Sequence, residues 1–130
     1  MYNLGAQVVP LEADITFDSN GLMTTGFTHA PGSSEILIAE PGDYELTFSV
    51  SGVEPNQFTP FLEDIPLAGA TYGSGAGTQQ NTGQVLFTVT VPNSTLTLRN
   101  HTSAAAVTLQ TLAGGTVVNV NASILLNRLR

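Results

Sequence analysis

The chain has 130 residues, no cysteine, three arginines, no lysine and ten acids, a formal net charge of −7. A domain of this size buries about 60–70% of its unfolded surface, so one core needs no cross-link, and without thiols neither a disulfide framework nor a thiolate metal site is open to it. The acidic balance repels phosphate backbones and excludes the basic patch that nucleic-acid binding requires, and no apolar run approaches the ~20 residues of a membrane span.

Apolar positions repeat with period two and are separated by Gly, Pro, Asn and Asp, the signature of an all-β chain. Strands are expected near Ala6–Val9, Asp14–Phe17, Leu22–Phe27, Glu35–Ala39, Asp43–Ser51, Phe58–Glu63, Pro66–Ala70, Gln84–Val91, Thr95–Asn100, Ala106–Thr111 and Val117–Arg128. Ser19-Asn20-Gly21, Pro31-Gly32, Pro41-Gly42, Pro92-Asn93 and Gly114-Gly115 supply the turns, through preset or positive φ. The segment Tyr72–Gly83, Gly-rich and without apolar residues after Tyr72, reads as an exposed loop.

Within Asp43–Ser51 the side chains of Tyr44, Leu46, Phe48 and Val50 alternate with Glu45, Thr47, Ser49 and Ser51. Phe87 and Val89 continue the inward set, and so do Val120 and Ile124 on the last strand, opposite Asn119, Asn121, Ser123 and Leu125. The second face of each strand is polar and nearly uncharged. About ten short strands with this punctuation predict a single domain over residues 1–130, folded as a sandwich or jelly roll.

No catalytic constellation is evident. His29 and His101 have no H-x-x-x-H or H-x-E spacing, and Gly73-Ser74-Gly75 lacks the G-x-S-x-G elbow. Asp14 with Asp18, and Glu63 with Asp64, form no dense acidic ladder of the kind that holds Ca²⁺. Tyr2, Tyr44 and Tyr72 are dispersed, and so make no aromatic platform for a sugar. Asn93, Asn100 and Asn121 each open an N-x-S/T triplet, a glycan acceptor only in a secretory context. The expectation is a protein that is not an enzyme and carries no cofactor and no metal.

The stretch "GDYELTFSV" resembles the third main strand of the tumour necrosis factor and complement q-subunit superfamily. "FDSNG", "THAPGSSEILI", "SGVEPNQFTPFLEDIPLAGATYGSGAGTQQNTGQ", "TLTLRNHTSAAAVTLQTLAGGT" and "VNASILL" together resemble the C-terminal head domain of Bacillus collagen-like exosporium glycoproteins of the BclA type, from about Ala6 to Leu129. The resemblance implies a ten-stranded jelly roll that assembles as a homotrimer, registers and caps a collagen stalk, and sits extracellularly on a spore or cell surface. No Gly-X-Y run occurs within these residues, which departs from the family pattern. The resemblance places Thr47, Ser49, Ser51, Asn119, Asn121, Ser123 and Leu125 toward neighbouring subunits. It also leaves a second reading, a surface module whose loops, Tyr72–Gly83 foremost, recognise a host receptor or glycan.

Overall fold

A computed structural model describes residues Met1–Arg130. Twelve strands follow one another, with no helix: β1 Tyr2–Asn3, β2 Gln7–Val9, β3 Phe27–Thr28, β4 Ile36–Ile38, β5 Gly42–Ser51, β6 Asn56–Leu62, β7 Ile65–Pro66, β8 Tyr72–Ser74, β9 Gln80–Val89, β10 Ser94–Asn100, β11 Val107–Leu109 and β12 Ala122–Arg128. A four-stranded sheet has the order β1-β12-β5-β9, and a six-stranded sheet the order β3-β4-β10-β6-β7 with β8 also paired to β6. A small β2–β11 ladder forms a third unit, and every pairing is antiparallel. From β4 to β12 the chain repeatedly crosses between the two large sheets, giving an all-β, jelly-roll-like sandwich.

One apolar cluster joins the sheets. Tyr44, Leu46, Phe48 and Val50 of β5, Ala122 and Ile124 of β12 and Val89 of β9 meet Ile36, Ile38, Phe58, Leu96 and Leu98 across the sandwich, all essentially buried. Burying a side chain of this size contributes about 1.5–3 kcal/mol, so the β5 row alone is a large part of what opposes chain entropy. Phe87 is only partly buried but stacks on Tyr44, 5.9 Å between ring centroids. Gly83 faces Phe48 across the β5–β9 ladder, and a Cβ there would collide with the rings of Phe48 and Tyr72. The glycine leaves room for two aromatic side chains.

Several sequence expectations are corrected. Asp14–Phe17 forms a single bridge to Arg99 instead of a strand, although Ile15 and Phe17 are fully buried, so the alternation there records burial without a ladder. Leu22–Phe27 is strand only from Phe27; Leu22 is 99% exposed, and Gly26 at φ 104° turns the chain. Pairing at Pro66–Ala70 stops at Pro66, and Gly69 at φ 70° bends the remainder. Tyr72–Gly83 is not one loop: Tyr72–Ser74 is β8 and β9 begins at Gln80. Asn81 holds the two together, its amide donating to Asn56 Oδ1 at 2.9 Å and Tyr72 O at 2.8 Å.

The last strand starts at Ala122, not at Val117. Asn119 explains the difference: its Oδ1 accepts the Ala113 N–H at 2.8 Å and its amide donates to Gln110 O, which closes a loop over 111–119. Val120 therefore lies outside the core, 48% exposed.

Candidate functional site

The two large sheets have outer faces of opposite character. On the six-stranded sheet, Thr59, Phe61 and Thr97 point outward yet are buried, because the chain covers them. Arg99 lies 3.9 Å over the Phe61 ring, held by Asp14 at 2.9 Å and Asp64 at 2.6 Å. His101 meets the same ring edge-on and bonds the Glu12 carboxylate at 2.8 Å. The hydrogen bond from His101 holds Glu12 below the ordinary carboxylate value, and the Asp14 hydrogen bond raises Arg99 further.

No element of the chain covers the outer face of the four-stranded sheet. Its rows are set by register: Ser123, Ser49 and Thr82; Leu125, Thr47 and Gln84; Asn127, Glu45 and Leu86. Thr47, Ser49, Ser51 and Ser123 are half-buried, while Leu125 and Leu86 are 61% and 69% exposed. Three of the polar side chains satisfy one another. Gln80 donates to Ser49 Oγ and accepts from Ser51 Oγ at 2.8 Å. Charge is confined to one end, where Glu45 accepts from Asn127, and Asp43 pairs with Arg130 at 2.9 Å and accepts from Thr88 at 2.7 Å.

Two residues expected on this face lie elsewhere. Asn121 is 1% exposed, and its amide is spent within its own chain on Gly5 O at 3.0 Å and Gln110 O, while its Oδ1 accepts from Asn3 at 2.9 Å. Asn119 closes the 111–119 loop. Neither side chain is free to meet another subunit.

A groove of about 880 Å³ adjoins this face. Tyr44, Ile124 and Leu126 line it together with the segment Gly21–Phe27, Met1, Tyr2 and Val120, and Ser123, Leu125 and Asn127 of the bare face line it too. The strand pairing explains the opening. β1 pairs with Ser123 and Ala122, and Met1 O accepts from Ile124 N, so the β12 edge beyond Ile124 has no neighbour strand. Glu40 and Arg128 are the charged residues of its lining. Burial pushes the Met1 ammonium, which donates to Ile124 O, below its ordinary value.

The remaining candidates are dispersed and engaged. His29, 6% exposed, has Nδ1 2.5 Å from Asn20 Oδ1 and Nε2 2.8 Å from Ser33 O, so it ties the ends of the segment that walls the groove. Ser74 is buried and donates to Ala76 O. Asp18 accepts the Leu4 and Gly5 N–H groups; these outweigh its desolvation and keep it below its ordinary value. Glu63 accepts the Thr95 N–H at 2.6 Å. No three His, Asp or Glu side chains converge as a metal site.

The fold defines the class: an all-β sandwich of jelly-roll type. No protein-family model matches the chain, and no curated protein matches it. Among solved structures it is similar to CBM35 from Cellvibrio japonicus Abf62, with a TM-score of 0.41 and 16% identity over 95% of this chain and 97% of that one. A likeness at that level assigns neither family nor function, and these comparisons give no support to the collagen-like head resemblance.

Proposed function

We propose that the chain is a non-catalytic assembly module of the extracellular surface, a homotrimer in which the outer face of the four-stranded sheet meets neighbouring copies. One observation carries this reading: that face is uncovered by its own chain, neutral through its middle and flanked by exposed Leu125 and Leu86. Neutral side chains that bond within the face, as Ser49, Ser51 and Gln80 do, are buried at low cost, whereas a buried unpaired charge costs several kcal/mol. With −7 per chain, association must also keep the acids apart, which a charge-poor contact surface does.

In this reading the head registers and caps collagen-like chains joined to it at a spore or cell surface. Once three heads associate, pairing of tethered chains becomes intramolecular and needs no further encounter. Light scattering at low micromolar concentration is expected to give three times the chain mass; a monomer there overturns the proposal.

The second reading is a surface module that binds a receptor or glycan, and the open groove between β12 and Gly21–Phe27 favours it. Its contact surface moves from Tyr72–Gly83, which is mostly strand, to that groove. Glycan-array binding that survives Leu22→Asp but not disruption of assembly would count against the groove.

A further inference from the structure

In an antiparallel ladder, successive residues of a strand turn their N–H and C=O groups to opposite edges. Ile124 exchanges both of its bonds with Met1: Ile124 N donates to Met1 O at 3.0 Å, and the Met1 ammonium donates to Ile124 O at 3.3 Å. Leu126 and Arg128 therefore turn their backbone groups to that same side, while Leu125 and Asn127 face β5. The ladder with β1 stops at this pair, and no strand follows it along β12. The open edge runs through the groove, since Leu126, half-buried, and Arg128 are both part of the lining. Unpaired backbone groups of this kind are a template for another strand.

The rest of the lining suits such a strand. Leu22 stands 99% exposed, and Met1 and Met23, the only methionines of the chain, line the same groove. Thioether side chains adapt to irregular apolar partners. A sugar finds less to hold: Tyr44 is 2% exposed, packs edge-on to Phe27, and spends its hydroxyl on Glu40 O at 2.6 Å. Charge marks one end. Arg128 pairs in register with Tyr44 and donates to Pro41 O at 2.9 Å, which puts Glu40 at the Arg128 end of the edge. Glu40 is exposed, and its carboxylate has no partner within the chain.

We propose that this edge takes an extended peptide of another protein, added antiparallel to β12 and in line with β1. Alternate apolar side chains of the peptide lie against Leu22 and Met23, and a basic residue at its amino end meets Glu40. The inference rests on the reading of the groove as a binding surface and names a peptide, not a glycan, as its occupant. Backbone pairing with Leu126 and Arg128 supplies the affinity, and the apolar lining selects the side chains. A net charge of −7 favours the same basic partner at longer range.

The test is selection of random heptapeptides displayed on phage against the 130-residue chain, followed by fluorescence-anisotropy titration of an enriched peptide. Enriched sequences are expected to alternate apolar residues behind a basic one. Methylating the backbone nitrogens along one edge of the peptide should weaken binding about tenfold, the cost of a backbone hydrogen bond left unmade, while methylating the intervening nitrogens leaves it unchanged. Leu22→Asp should weaken binding as well, and Glu40→Gln by up to about fivefold, with thermal unfolding unchanged in both variants. No enriched sequence, or an enriched peptide indifferent to backbone methylation or to Leu22→Asp, overturns the assignment. Glycan-array binding that Leu22→Asp abolishes, with no peptide enriched, overturns it too but keeps the groove as a binding surface; binding of neither class removes both.

Discussion

The two outer faces of the sandwich solve one problem in opposite ways. Each sheet buries one side in the shared core and must dispose of the other. On the six-stranded sheet the chain folds its own loops over the outer side and fastens them with charge: Asp14 and Asp64 on Arg99, Glu12 on His101, all around the Phe61 ring. On the four-stranded sheet nothing is laid over Ser49, Thr47 and Leu125, and charge is kept to the end near Asp43. A face sealed by its own loops is finished within the chain. The bare, neutral face is the one on which the proposed assembly rests.

The largest expected effect is a reference for both faces. Phe48→Ala removes a buried ring that packs edge-on against Tyr72, and is expected to destabilise the fold by about 3–5 kcal/mol in denaturant unfolding. Loss of the common core should weaken both faces alike.

Leu125→Asp separates them. The side chain is 61% exposed in the single chain, so its stability should shift by no more than about 0.5 kcal/mol. Association should weaken by several kcal/mol if a dry interface forms there, because an unpaired carboxylate is buried with it. Light scattering across a concentration series reads the difference; a variant that assembles like the parent would show that this face meets water.

Arg99→Ala tests the sealed side. It leaves Asp14, 22% exposed, without its partner and uncovers Phe61, for an expected loss of about 1–3 kcal/mol in unfolding with no change in assembly. A change in oligomeric state would mean that the covered face also takes part in contacts.

The long strands were legible because their alternation coincides with burial: Tyr44, Leu46, Phe48 and Val50 occupy the core, as do Val89 and Ile124. The failures arose where periodicity and pairing part company. Ile15 and Phe17 are buried from a segment with little pairing, and Val118 and Val120 alternate in a segment that Asn119 closes into a loop. Glycine misled at Tyr72–Gly83, where Gly83 makes room for two rings inside a strand pair. Of the residues expected on the bare face, Thr47, Ser49, Ser51, Ser123 and Leu125 share it in register, but Asn121 is consumed by Asn3, Gly5 and Gln110. Partners so far apart in the chain leave no local trace at Asn121. The groove was equally hidden, because it depends on where β1 stops along β12.

The smallest effect is pH-dependent and again sorts the faces. Glu12 on the sealed side is held below its ordinary value of 4.5 first by the His101 hydrogen bond, and Asp43 at the end of the bare sheet is held below 3.8 first by Arg130. A carboxylate whose folded value is depressed contributes stability that is fully present above its unfolded value and is lost as pH falls through the folded one. The thermal midpoint should therefore be flat from neutral pH down to about 5 and decline below the ordinary carboxylate range. Glu12→Gln should flatten part of that decline and loosen hydrogen-exchange protection at Thr102, whose N–H Glu12 accepts at 3.2 Å, while Asp43→Asn leaves Thr102 unchanged. Equal loosening at Thr102 in both variants would show that the two ends of the sandwich are coupled through the core, and that the sealed face is not fastened locally.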